Sequence, residues 1–248
     1  MSGEGKSPAT IAGYVSDVQR YGGMDGACTS ERATQIRLSG LAPRTVARHL
    51  AAHAEFARYT GNAAEAASLF ARRPSVGVVL PPVVPTQDEM RQFIGAETDL
   101  VYRALWTLMC GAGLRLDEAM SLRWHSFTTT GVNVLGKGNK MRTVPLSMAV
   151  REAVAAIDTP LARNLNSLLF PMSHRTVQRH VKSNARRAGL PRTWHPHALR
   201  HGFGTAIQAA MGDIRLTADI MGHASVVTTM IYTHVANGRR EAAVAGVL

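Results

Sequence analysis

Four prolines, Pro74, Pro81, Pro82 and Pro85, fall within residues 72–86 (RRPSVGVVLPPVVPT), and nothing else in the sequence limits the fold as strongly. Proline locks φ and has no N–H to donate, so this segment cannot continue a helix and reads as an extended connection. It is the best domain boundary the sequence offers. The pattern predicts a helical domain over 1–75, a Pro-rich linker over 76–85 and a larger domain over 86–248. With 248 residues and 46% hydrophobic side chains, both can bury a core, which a disordered chain cannot do. No run approaches the roughly 20 apolar residues of a membrane span, and the start, MSGEGKSPAT, carries no apolar stretch like a secretory signal. Two distant cysteines, Cys28 and Cys110, offer neither a disulfide framework nor metal-ligand spacing. The expectation is a cytoplasmic protein without a membrane association, its cysteines acting as small buried hydrophobes.

The first body reads as four helices. Ser7-Pro8 supplies an N-cap and a first helical residue, and Ile11, Tyr14, Val15 and Val18 follow at helical spacing until Gly22-Gly23. Further helices are predicted over 30–38, from Pro43 to near Gly61 with Val46, Leu50, His53 and Ala57 on one side, and over 63–71. In the second body, Thr86-x-x-Glu89 is a capping box that opens a helix. Helical periodicity continues over 100–110 and restarts over 114–124. Val132, Val134 and Leu135, then Gly136-Lys137-Gly138-Asn139, then Arg142, Thr143 and Val144 read as a hairpin with Lys137 at its tip. Everything after Pro145 is predicted helical. The fold class is therefore mainly α with one small β-hairpin.

Charge narrows the partners. The chain has 28 Lys+Arg against 17 Asp+Glu, a net +11, which attracts polyanions and nucleic acid above all. Between Asp158 and Asp213 there is no carboxylate, while eight cations fall inside: Arg163, Arg175, Arg179, Lys182, Arg186, Arg187, Arg192 and Arg200. On a helix beginning after Ser173, Arg175, Arg179, Lys182 and Arg186 share one face, opposite Val177, Val181 and Ala188. A solvated face would normally interleave Glu for i,i+4 pairs, and none is present. One side packs and the other can lie on a phosphate backbone.

Four clusters hold a cationic or imidazole group at a turn or helix start: GLRLDEAMSLRW (113–124), GKGNK (136–140), HALRHGFGT (197–205) and MGHASVVTTMIYTHV (221–235). In this order they closely resemble the catalytic domain of the tyrosine site-specific recombinases, the phage integrase and Xer family. Residues 8–71 resemble that family's helical core-binding domain. The resemblance implies an active site of Arg115, Lys137, His197, Arg200, His223 and Tyr232, with no metal and no cofactor. Cleaving a DNA strand without metal needs a nucleophile, a clamp for the non-bridging phosphate oxygens and a proton for the departing 5′ oxygen. Arginine suits the clamp because its planar fork donates parallel hydrogen bonds and keeps its charge. Lys137 is the implied general acid, with Lys140 a competitor that spacing alone does not exclude. His197 either takes the tyrosine proton or hydrogen-bonds the phosphate. His195, His197 and His201 also admit a metal-site reading, which the Arg between them opposes. Tyr232 is the implied nucleophile, forming a 3′-phosphotyrosine.

The resemblance further implies a clamp around double-stranded DNA contacted by Arg44 and Arg48 of the third helix and by the Arg175–Arg186 face. It implies a homotetramer at the synapsis of two sites, with directionality or host factors as further partners. The first helix opens near the start of the sequence, so a compact form without an arm-binding domain is expected. The tail RREAAVAGVL is either a segment donated to a neighbouring protomer, a frayed end or a proteolysis signal. Met221, Ala224 and His125-Ser126-Phe127 depart from the family's commoner residues at packing and loop positions. Two other readings of the whole remain: a type IB topoisomerase, and a catalytically silent DNA-binding regulator.

Overall fold

A computed structural model describes residues 8–21, 30–74, 84–136, 140–158, 165–191, 193–223 and 228–230. The chain separates into two compact units, Met1–Leu80 and Pro81–Leu248, dividing within the proline-rich segment.

The first unit holds α1 (Pro8–Arg20), α2 (Ser30–Leu38), α3 (Pro43–Tyr59) and α4 (Ala63–Ala71). Pro43 opens α3, where its missing N–H costs nothing. Asn62 caps α4 by accepting from the Glu65 N–H. Val46, Leu50, Ala54 and Ala57 of α3 pack with Ile36 of α2 and Leu69 of α4. Ala52 and Phe56, on another side of α3, meet Val18 of α1.

The α1 and α3 helices also enclose a polar cluster. Asp17 is buried, with its carboxylate 2.9 Å from the Arg48 guanidinium and 3.3 Å from His49 Nδ1. His53, 1% exposed, has its pKa pushed down to about 4 by burial, reinforced by the charges of Arg32 and His49. Burial lowers His49 as well, against the pull of Asp17. A histidine with a depressed native pKa stabilises the fold fully above its unfolded value of 6.5. As pH falls toward 4 the unfolded chain takes up the proton first, so His53 alone should cost the unit about 3 kcal/mol. Hydrogen-exchange protection of α1 and α3 amides, corrected for intrinsic rates, should therefore fall between neutral pH and about pH 5. Equal protection at both would contradict this.

The second unit is built around α6 (Leu100–Ala112), whose Leu105, Trp106, Leu108 and Met109 are fully buried. α5 (Gln87–Gly95), α8 (Met148–Ala155) and α10 (Pro196–Met211) pack against it. Thr86 and Glu89 form the expected capping box on α5. α6 runs two residues beyond the expected end, to a left-handed Gly113 at φ 62°. A side chain at Gly113 would collide with the Phe203 ring, so both backbone and packing demand glycine.

Two expectations are corrected here. Helix does not persist over 114–124: α7 covers only Leu116–Ser121, and Leu122 turns extended at ψ 140°. The reason is long-range pairing, since Leu122 accepts from the Leu169 N–H at 2.8 Å and Arg123 bridges Leu168. A short 3₁₀ turn, Trp124–Ser126, follows. For the same reason the chain after Pro145 is not helical throughout, because 165–173 supplies the partner of that bridge.

β1 (Val132–Leu135) and β2 (Met141–Val144) form an antiparallel hairpin pairing Val132 with Val144 and Val134 with Arg142. The tip, including Lys137, lies outside the described residues. α9 (His174–Arg187) begins at Ser173, whose hydroxyl accepts from the Thr176 N–H. α11 (Ile214–Met221) ends at a left-handed Gly222. A buried carboxylate, Glu97, ties α9 to α6. It accepts from Trp106 Nε1 at 3.0 Å, pairs with His180 at 2.8 Å and Arg187 at 3.3 Å, and the His180 ring stacks on Tyr102 at 3.6 Å. Burial alone would raise the Glu97 pKa, but hydrogen bonds from Trp106, the Asp99 N–H and His180 bring it below the usual carboxylate value. No described helix is long and apolar enough to cross a membrane.

Candidate active site

Three chain segments far apart in sequence meet at one buried carboxylate. Arg115 is the N-cap residue of α7, and Glu118 accepts from its backbone N–H at 2.8 Å and from its guanidinium at 2.8 Å. Arg142, on β2, makes a two-pronged pair with the same carboxylate, both contacts at 3.0 Å. Arg200, four residues into α10 after Pro196, lies 3.7 Å from it. Its guanidinium donates to the carbonyls of Gly113 and Met221, at the ends of α6 and α11. Burial would raise the Glu118 pKa, yet hydrogen bonds from Arg142 and Arg115 and the Arg142 charge outweigh it and hold the group at about 2.

The two arginines differ in depth. Arg200 is 4% exposed, whereas the Arg115 side chain is 30% exposed and reaches the Gly222 carbonyl at 3.3 Å. Gly222 ends α11 at φ 62°, and a Cβ there would stand 2.5 Å from the Arg142 guanidinium carbon. Glycine thus lets the backbone of the α11 terminus approach Arg142, which brings the next residue, His223, into the cluster. His223 Nδ1 pairs with the Thr229 hydroxyl at 2.8 Å. Burial, then the charges of Arg200, Arg115, His201 and Arg142, pushes its pKa down to about 4. It is neutral at physiological pH and keeps one N–H to donate.

His197 stands at the second position of α10, beside a cleft of about 260 Å³ between α7, α9 and the start of α10. Asp117, His174, Gln178, Lys182 and His195 share this cleft. Burial and the positive charges of its neighbours, Arg200 among them, lower the His197 pKa despite Asp117. His201 is pushed down to about 4 by burial and by the neighbouring histidines and Arg200. Although His195, His197 and His201 share one helix start, among the described residues no group of three or more His, Cys, Asp or Glu is placed to hold a metal ion.

Of the six residues expected at the site, Arg115, Arg200 and His223 are brought together, with His197 close enough to feel both arginines. Lys137 and Tyr232 lie outside the described residues. Sequence reasoning missed Glu118 and Arg142. The Arg115-x-x-Glu118 spacing is that of an N-cap and N3 pair and signals the first; nothing local signals Arg142, which hairpin register and the close approach of Gly222 deliver. On α9, Arg175, Arg179, Lys182 and Arg186 are exposed while Val177, Val181 and Ala185 are buried. Arg44 and Arg48 are exposed on α3, the latter held to Asp17. Cys110 is half-buried, and desolvation pushes its thiol pKa up to about 12; Cys28 is outside the described residues.

The model of the phage integrase family matches residues 84–239. Tyrosine recombinase XerC of Xanthomonas campestris pv. campestris is 33% identical over 227 residues, covering 86% of this chain and 70% of the relative. XerC of Methylobacterium sp. (strain 4-46) is 35% identical over 226 residues, covering 82% and 71%. Among solved structures, XerA recombinase superposes with a TM-score of 0.59 at 25% identity, over 98% of this chain and 93% of that one. The Tn1549 transposon integrase in complex with a circular intermediate DNA shares the fold, with a TM-score of 0.72 at 17% identity over 95% and 94%. The chain belongs to the phage integrase family and is a site-specific tyrosine recombinase, an enzyme that cleaves and rejoins DNA.

Proposed function

We propose that the Glu118-centred cluster is the phosphate site of strand cleavage in duplex DNA. The observation that carries the reading is the convergence of Arg115, Arg200 and His223 from three separate segments around one buried anion. Glu118 keeps the guanidinium planes fixed before any phosphate arrives, so little reorganisation is needed when charge develops on the phosphoryl oxygens. Arg115, with its exposed edge, and Arg200 beneath it clamp those oxygens. Neutral His223 donates an N–H, and neutral His197 accepts the phenolic proton or donates to the phosphate.

The Tyr232 oxygen attacks phosphorus, forming the O–P bond of a 3′-phosphotyrosine as the bond to the 5′ oxygen breaks. That oxygen takes a proton, assigned to Lys137, and leaves as a hydroxyl. The ester conserves the bond, so a 5′ hydroxyl from a second duplex reverses the step and returns the tyrosine without ATP. Exchange of all strands between two duplexes calls for four protomers. The first unit acts as the core-binding domain and the second as the catalytic domain, with Arg44 and Arg48 on α3 and the cationic face of α9 contacting the DNA.

A nicked suicide substrate tests this. The full chain should become covalently linked to the 3′ phosphate, and peptide mapping should place the link on Tyr232. A link elsewhere, or none, would overturn the assignment, and strand exchange between two labelled duplexes would distinguish recombination from same-strand resealing by a topoisomerase. Substituting Arg179 or Lys182 by Ala should weaken binding to all sequences alike and reduce the slope of log affinity against log salt by about one unit each. An unchanged slope would remove α9 from the interface.

A further inference from the structure

We infer that His195 is a positioning residue for strand cleavage: its singly protonated imidazole caps the helix that carries His197 and Arg200, and the cap is released when the ring gains a second proton. The inference rests on the phosphate-site reading above. His195 has the extended backbone of an N-cap, φ −146° and ψ 163°, and Pro196 follows at the first helical position. Its Nδ1 accepts from the Ala198 N–H at 3.1 Å, a donor shared with the His195 carbonyl at 2.8 Å. The ring thus does what a Ser, Thr, Asp or Asn oxygen does at most helix starts. It differs from those oxygens in one respect. Nδ1 accepts only while it carries no proton, so a doubly protonated ring loses the bond and places a positive charge on a helix N-terminus, where the backbone dipoles oppose it. Both effects have the same sign.

The cap is coupled to the chemistry by position. His197 is two residues along, its ring edge-on to that of His195 at 6.4 Å, and Arg200 lies one turn further. Among the described residues, the charged and titratable groups that share the cleft with His195 or interact with it are Asp117 on α7, His174 and Lys182 on α9, and His197 and His201 on α10. Asp117 is the anion among them, and His174 already engages it at 2.8 Å.

Single-turnover cleavage of the suicide substrate by the full chain, measured against pH, tests the inference with H195A and H195S. Losing the cap in H195A should slow cleavage about tenfold at neutral pH, since the first turn bearing His197 is no longer held. In H195S the hydroxyl restores a cap that does not titrate. Cleavage should return to within about threefold of the natural protein at neutral pH and should fall less steeply on the acid side. Thermal unfolding of each variant separates loss of the cap from loss of the fold, and H195S carries the test if H195A does not fold. The inference is overturned if H195A cleaves like the natural protein across the pH range. It is equally overturned if the acid limb of H195S superposes on the natural one, which assigns that limb to His197 or His223. Absence of any covalent adduct from the natural protein at neutral pH would instead count against the phosphate-site reading itself.

Discussion

Arg200→Ala is expected to slow strand cleavage by on the order of 100-fold or more while DNA affinity changes only a few-fold. The asymmetry follows from where this guanidinium sits. It is buried, so it adds little to the long-range attraction that the exposed α9 cations provide. Its donors instead hold the Gly113 and Met221 carbonyls, tying the end of α6 to the end of α11. Arg115 follows the first of these ends and His223 the second, so losing Arg200 removes one arm of the proposed clamp and loosens two other groups. Arg200→Lys should be nearly as damaging, because one ammonium on a flexible stem does not reproduce a fixed fork bridging two carbonyls. Single-turnover cleavage and filter binding on the same DNA measure the two quantities separately. Cleavage within about tenfold of the natural protein would remove Arg200 from the centre of the site.

Glu118→Gln is expected to destabilise the second unit by about 3–5 kcal/mol. Glutamine keeps the shape but not the charge, leaving Arg115, Arg142 and Arg200 within one buried cluster without their counter-ion. Urea unfolding of the intact chain, followed by Trp fluorescence, reports on this unit. A loss below about 1 kcal/mol would mean the three cations find water or another anion. The pH dependence supplies an independent check. The native pKa of about 2 lies below the unfolded value of 4.5, so Glu118 stabilises fully above 4.5 and progressively less as pH falls toward 2. The difference amounts to about 3 kcal/mol, and the Gln variant should lack it. This window lies below that of His53 in the first unit, whose loss begins at 6.5 and is complete near 4.

Much of the local structure was legible because its causes are local. The start of α3 at Pro43, the α5 capping box, the Ser173 cap of α9 and the glycine stop of α11 depend on side chains within a few residues of the backbone they satisfy. The buried and exposed faces of α9 follow from helical spacing in the same way. The exceptions were also physical. Leu122 looks helical by periodicity, yet its carbonyl is claimed by Leu169, a partner no window around 122 contains. Arg142 read as an ordinary strand residue, since only cross-strand register and the turn at Gly222 direct it to Glu118.

By itself the sequence marked the two-body organisation, the family and the side chains proposed for the chemistry, because these rest on proline content, ordered motifs and side-chain type. Tertiary structure decided which groups share a field. Electrostatic interaction and hydrogen bonding act over a few ångströms of space, whatever the separation along the chain. Thus Glu118 became the anion shared by its neighbour Arg115 and the distant Arg142 and Arg200, burial and then neighbouring positive charges lowered the pKa of His223 and His197, and Arg48 became tied to Asp17 within the first unit.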